Sequence, residues 1–276
     1  MSATVPRIPT LLLPQNQITE TRLAQNIRDL TEKPATYLEP LIYGVGDVHG
    51  MSDLLSTLLV EIESDSAAYG KPALIVFLGD VVNRGGQTRQ VLNRLVAGPT
   101  RPGDRWVVLR GNHEQMTLDA LTAGSANMFQ RWLKMGGMQT LASYGGTRKH
   151  ATLQRARDLV DPAHLRFLAE LPLTHIAGDY LFVHAGVEPG VPLHQQDATK
   201  LLNIRGRFLK EPHGLPFTVI HGHTPTDGQP RLGPGRIGID TGAYFSGILT
   251  AVAIEPNQTG RRFLRVPTSR DARSLK

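Results

Sequence analysis

The chain has 276 residues, 40% of them hydrophobic, with 30 Lys and Arg against 24 Asp and Glu and no cysteine. That length and apolar content suit one large α/β domain or two small ones. Without cysteine there can be no disulfide scaffold, thiolate zinc site, iron–sulfur cluster or thiol nucleophile, so any metal must be held by oxygen and nitrogen. Most of the formal charge of +6 is local. Residues 261–276 carry six basic side chains (Arg261, Arg262, Arg265, Arg270, Arg273, Lys276) and one acid, Asp271, and read as a solvated basic tail. The rest is nearly neutral, and its aromatics, 6% of all residues, are not interleaved with basic ones. Nucleic-acid binding is therefore not expected.

Residues 1–40 lack sustained periodicity apart from a short helical pattern at 20–30, and read as an N-terminal extension. The opening MSATVPRIPTLLLPQNQ has no cationic segment followed by an apolar core, so a signal peptide is not expected. The strongest apolar run, residues 74–78, is far shorter than the roughly 18 residues of a bilayer span. The expectation is a soluble cytoplasmic protein with no membrane partner.

From residue 41 the pattern becomes regular. An apolar run at 41–45 ends in GDVHG and leads into a helical stretch, 51–62, with leucines at 54, 55, 58 and 59. A second run, 73–78, ends in GDVVNRGG before a helix over 87–96. A third, 106–109, ends in RGNHE and again leads into helix. Three consecutive strand–loop–helix units predict a largely parallel sheet whose loops gather at the strands' carboxyl ends, where open α/β sheets place their chemistry. Residues 114–171 read as mainly helical, broken at Gly136-Gly137 and Gly145-Gly146, and make a candidate wall beside that edge. Strands are then predicted at 173–176, 180–183, 217–220, 236–239 and 248–254. The whole reads as two packed sheets with helices outside, a single domain over 41–260.

Each apolar strand ends in residues that a purely structural loop does not require. Asp47 and His49 are two apart and in extended backbone share a side. Asp80 follows the next strand, Asn112 and His113 the third, His184 the run at 180–183, and His223 the run at 217–220. Carboxylate, amide and imidazole suit manganese, iron or zinc, and with Asp80 shared they suffice for two ions.

As an ordered set, GDVHG, GDVVNRG, GNHE, HAG and HGHT resemble the PPP-type branch of the calcineurin-like metallophosphoesterases, which includes bacterial serine/threonine protein phosphatases and diadenosine tetraphosphatases. The likeness spans roughly residues 41–254. It implies a four-layer α/β/β/α sandwich of two mixed sheets flanked by helices, around two divalent metal ions, manganese foremost with iron or zinc as alternatives. Asp47 and His49 would hold the first ion, Asp80 would bridge, and Asn112, His184 and His223 would hold the second. Phosphomonoesters would be hydrolysed by in-line attack of a metal-bridging hydroxide, the two ions about 3.5–4 Å apart. Arg84, Arg205 and Asn112 would face the phosphate, with Arg207 close enough in sequence to be mistaken for Arg205. His113 would be the general acid and His221 would sit behind the ligands.

At one position the pattern departs. Protein phosphatases of this type read GDxVDRG, whereas this chain has Asn83, an amide that can orient His113 but adds no negative charge. A weaker acid follows, with slower turnover of poor leaving groups. The tetraphosphatases also lack that aspartate. GNHE, RWLKMGGMQTLASYG and IDTGAYFSGILTAV resemble the serine/threonine phosphatases instead. Gly136-Gly137 and Tyr144 fit either a helix break with a core aromatic or a substrate role. The first expectation is thus a serine/threonine protein phosphatase acting on a phosphorylated protein or small phosphoester. The alternatives are a symmetrical bis(5'-nucleosyl)-tetraphosphatase and a non-catalytic phosphate-binding module.

Overall fold

The computed structural model describes residues 40–255 and 260–268. The predicted extension at 1–39 with its short helix, and residues 269–276 of the tail, lie outside the described residues.

Two mixed five-stranded sheets form the centre. In the first, β1 (Leu41–Val45), β2 (Ala73–Phe77) and β3 (Arg105–Val108) run parallel, and β9 (Ile248–Ile254) and β10 (Arg261–Pro267) add antiparallel strands in the order β10-β9-β1-β2-β3. The second has the order β4-β5-β6-β8-β7, from β4 (Thr174–Ala177), β5 (Tyr180–Val183), β6 (Thr218–His221), β7 (Arg231–Gly233) and β8 (Arg236–Gly238). Its middle strands β5, β6 and β8 are parallel.

The two-residue period of a strand explains the layering. From β1, Leu41, Tyr43 and Val45 join a cluster with Leu54, Leu55, Leu58 and Leu59 of α1 (Ser52–Ala68) and Val91 and Leu92 of α2 (Thr88–Ala97). Ile42 points the other way, into the layer between the sheets, with Val76 and Val252 of the first sheet and Phe182, Ile220 and Ile237 of the second. On the far side, Leu181, Val183 and Val219 pack against Leu201 and Phe208. These belong to α8 (Ala198–Asn203) and α9 (Gly206–Lys210), two short helices that the periodicity does not predict. The four-layer sandwich of two mixed sheets is thus present. The helical wall holds α3 (Asn112–Leu118), α4 (Ala126–Trp132), α5 (Met138–Ser143), α6 (Leu153–Leu159) and α7 (Pro162–Glu170), and Phe129, Trp132, Leu141 and Tyr144 contribute to a core of its own.

The basic tail needs correction where it is described. Residues 261–267 are strand β10, paired along its length with β9. Phe263 packs against the inter-sheet layer, and Leu264 and Val266 join the outer one. The high basic count hid this alternation. Arg262 forms a two-pronged pair with Asp65 (2.6 and 3.0 Å) and reaches Glu255 (3.2 Å), while Tyr43 donates its hydroxyl to the same Asp65 (2.6 Å). The Arg262 guanidinium holds the Asp65 carboxyl below its ordinary value. Because the folded value is depressed, this contribution is complete above the ordinary carboxylate pKa of about 3.9 and is lost as pH falls through the folded value. Arg262→Ala is expected to lower unfolding free energy by about 1 kcal/mol at pH 7, a figure discounted for partial exposure, with the difference shrinking towards pH 2. Urea titrations of both proteins across that range check it.

Candidate metal centre

The loops at the strand ends hold backbone conformations that side chains other than glycine rarely adopt. Among the described residues, five non-glycines have positive φ: His49 (44°), Asp80 (48°), Asn83 (67°), Arg84 (67°) and His223 (62°). All five lie in the polar segments singled out above. Such strain persists only where surrounding contacts hold it, and it concentrates at functional sites.

At Asp80 the holding group is Glu114, in the first turn of α3. Its buried carboxylate accepts the backbone N–H of Asp80 (2.7 Å), Val81 (2.9 Å), Val82 (3.2 Å) and Gly111 (2.7 Å). The last is half of a capping box. Burial and the Asp80 charge push Glu114 up to about 8, against those donors. Behind Arg84 lies Gly136, where the helical wall breaks with φ 108°, and a Cβ there would sit 2.3 Å from the Arg84 nitrogen. The glycine pair is therefore a helix break that lets two backbones touch. Tyr144 is a core aromatic whose hydroxyl meets His164 Nδ1 at 2.6 Å.

The ligating atoms converge as expected of the second ion's site. Asn112 Oδ1 lies 3.0 Å from His184 Nε2 and 2.9 Å from His223 Nδ1, those two nitrogens are 3.2 Å apart, and Asp80 Oδ1 is 3.4 Å from His184 Nε2. The other ring nitrogens face carbonyls, Leu78 for His184 (2.8 Å) and the Asn203 backbone for His223. A carbonyl only accepts, so those nitrogens carry the protons and the converging ones carry lone pairs. Four acceptors thus face one point with no proton among them. Their spacing is that of neighbouring ligands each roughly 2.1 Å from one cation.

Across Asp80 the pattern repeats. His49 donates from Nδ1 to Val82 O (3.0 Å), and its Nε2 lies 3.5 Å from Asp80 Oδ2. The two Asp80 oxygens therefore face opposite sides, so this carboxylate could be shared between two ions. His113 stands close enough to His49 and Asp80 to make a third member of that group. Asp47, expected beside His49, joins neither group; it accepts the His223 N–H (3.3 and 3.2 Å to its two oxygens).

The electrostatics match a cation site. Burial lowers His49 and His223 to about 3 each. Burial opposes ionisation of Asp80, yet in the acid range where it would titrate, the charged rings of His184, His113 and His49 hold its carboxyl well below the usual range. Burial, then the Asp240 and Asp80 charges, push Asp47 up. Asp240 itself is pushed up to about 6, chiefly by burial. Buried neutral imidazoles around crowded carboxylates are what divalent cations stabilise. These residues fit a dinuclear centre.

Above it opens a cavity of ≈ 100 Å³, with Arg84, Arg205, Asp240, Tyr244, Met135 and Pro225 in its wall. Arg84 donates from Nη1 to the Tyr244 hydroxyl, its guanidinium lies 4.6 Å over that ring, and Nη2 is 3.4 Å from His113 Nε2. Arg207, the neighbour of Arg205 in sequence, is turned away and paired with Glu188 (3.4 Å) and Glu211 (3.0 Å). His221 is paired in register with Val183, the residue before His184. Its ring packs edge-on against Phe208 at 5.1 Å, and Nδ1 meets Gly222 O at 3.1 Å. The positive φ at His223 breaks the strand alternation that would have put both rings on one side.

Residues 40–245 match the family model for calcineurin-like phosphoesterases. The chain belongs to this family. No curated protein matches it significantly. Among solved structures, a provisionally assigned diadenosine tetraphosphatase is 21% identical, with a TM-score of 0.56 over 85% of this chain and 96% of the other. A serine/threonine phosphatase from Saccharomyces cerevisiae, similar to human phosphatase PP5, is 16% identical at 0.51, covering 92% and 90%. A hypothetical protein from Pyrococcus horikoshii OT3 is 12% identical at 0.53, covering 83% and 88%. At such identities the likeness is one of fold.

Glu114, Asp240 and Tyr244 were not among the residues predicted from the sequence. Asp240 follows an apolar run just as Asp47 and Asp80 do, so a signal for it was present. Glu114 supports a testable expectation. Glu114→Gln turns one acceptor into a donor facing N–H groups, and should cost about 2–3 kcal/mol of stability and at least about tenfold in Mn2+ affinity. Denaturant unfolding and calorimetric titration measure the two effects.

Proposed function

We propose that this calcineurin-like phosphoesterase is a metal-dependent phosphomonoesterase acting on phosphoserine or phosphothreonine in proteins, with Mn2+ as the working metal. One observation carries the reading: Asp80 shared between two sets of ligand atoms, directly beneath Arg84 and Arg205. His49 and Asp80 would hold one cation, with Asp47 joining them from its contact with the His223 N–H, and Asp80, Asn112, His184 and His223 the other. When bound, such a pair supplies Lewis acidity at a phosphoryl oxygen and brings the pKa of water towards neutrality.

The chain's own groups do the rest. Arg84 and Arg205 neutralise the equatorial oxygens, where negative charge spreads in the transition state. Tyr244 fixes the Arg84 guanidinium through a hydrogen bond and ring contact. His113 stands beside Arg84 and serves the leaving oxygen. In this reading the cavity takes the phosphoryl group, and the remainder of the substrate lies outside. A side chain projecting from a protein surface meets that requirement.

A second reading, hydrolysis of dinucleoside tetraphosphates, is favoured by Asn83. A nucleotide leaving group needs little protonation, and the amide gives His113 no anionic support. With Mn2+ present, kcat/KM on a phosphothreonine peptide is expected to exceed that on diadenosine tetraphosphate by at least about tenfold; the reverse order replaces the first reading by the second. Arg205→Ala should lower kcat/KM by roughly 10²–10³. Arg207→Ala, whose target pairs only with Glu188 and Glu211, should stay within about twofold. Steady-state assays on p-nitrophenyl phosphate separate the two arginines.

A further inference from the structure

The side chain of Asn83 lies in a closed ring of hydrogen bonds whose directions can be worked out one by one. Trp132 Nε1 is 3.0 Å from Asn83 Oδ1. An indole N–H only donates, so the Asn83 atom facing it must be the oxygen. Thr140 Oγ1 donates to the same oxygen at 2.8 Å. On the other side of the amide, Thr117 gives its single hydroxyl proton to His113 O (2.8 Å), so towards Asn83 (3.2 Å) it can only accept. The group facing it must be the NH2. The indole N–H is shared with Thr117 Oγ1, also 3.0 Å away, and the indole and the hydroxyl agree on the amide orientation. The NH2 also faces His113 Nδ1 at 3.1 Å, with His113 O farther off at 3.4 Å.

We infer that Trp132 and Thr140 are positioning residues for His113: acting through Asn83, they make Nδ1 an acceptor and place the proton of the neutral ring on Nε2, facing the cavity. There it stands 3.4 Å from Arg84 Nη2, which is also a donor. Neither can satisfy the other. Two donors converge on a point that one substrate oxygen can accept from, so the geometry is prepared for the leaving-group oxygen or an adjacent phosphoryl oxygen. A second consequence concerns metal. With Nδ1 turned to Asn83 and Nε2 carrying the proton, His113 has no lone pair for a cation, although it lies with His49 and Asp80. An aspartate at position 83 would instead accept from Nδ1–H and favour the doubly protonated ring, whose Nε2–H is the stronger acid. Only the use made of the Nε2 proton rests on the phosphomonoesterase reading; the tautomer does not.

The test is a long-range 1H–15N correlation spectrum of the full-length, zinc-loaded protein labelled with 15N-histidine. The His113 signals are assigned by their loss in His113→Gln. The expected result is a protonated Nε2 and an unprotonated Nδ1, with no substrate present. A protonated Nδ1 in the wild type overturns the inference, whichever substrate the enzyme prefers. Trp132→Phe and Asn83→Asp should each move proton density to Nδ1. Should Trp132→Phe fail to fold, Thr140→Val removes the other donor to Oδ1, and an unchanged tautomer in both it and Asn83→Asp also overturns the inference. Equilibrium dialysis should find the same zinc stoichiometry in His113→Gln as in wild type; loss of one equivalent would mean that His113 is a ligand. In kinetics, Asn83→Asp should raise kcat on a phosphoserine peptide about tenfold more than on p-nitrophenyl phosphate, whose leaving group needs no proton. Equal effects on both substrates would deny the leaving-group role.

Discussion

Four acceptor atoms, from Asp80, Asn112, His184 and His223, are held within 3.4 Å of their neighbours with no proton between them. In water such a cluster disperses, so the rest of the molecule is arranged to keep it together. Two layers of buried strands bring the loops to one edge. His184 and His49 are each turned by a backbone carbonyl behind them, and Asp80 is held by the Glu114 clamp. The arrangement stores electrostatic stress that a pair of divalent cations relieves, which makes metal binding and local order one event.

The strain follows from the same demand. A ligand at a strand end must turn its side chain across the sheet edge within one or two residues, and positive φ is the conformation that does so. That explains why the five left-handed non-glycine residues fall in the site segments. It also explains why neighbours in sequence part company. Arg205 reaches the cavity while Arg207 pairs on the surface, and His223 turns to Asn112 and His184 while His221 packs against Phe208.

Much of this was legible in the sequence because two regularities coincide: apolar runs of strand length, and ionisable or amide side chains directly after them. From these, eight of the ten described strands and the ligand-bearing positions could be read. The rest depends on contacts between distant segments. Trp132 meets Asn83 across 49 residues, and Tyr244 meets Arg84 across 160, with no local pattern to announce either. Glu114 resembles an ordinary first-turn acid until its four N–H partners are seen. The tail was misread because charge was weighed before periodicity, although Phe263, Leu264 and Val266 mark a strand whose arginines have local partners.

Asn83 shows how charge and packing decide together. Asp47, Asp80, Asp240 and Glu114 are already buried around the centre, and three of them have pKa values pushed up, first by that burial and then by one another's charge. A carboxylate at position 83 would add another buried charge, while an amide supplies the same shape without it. The amide then needs a donor on its oxygen side and an acceptor on its nitrogen side, and the helical wall provides both from Trp132, Thr140 and Thr117. What began as a helix packed beside the sheet edge thereby sets which nitrogen of His113 presents a proton to the substrate. That ring shares the cavity wall with Arg84 and Arg205, so the positive charge facing the cavity is set locally and owes little to the net charge of the chain.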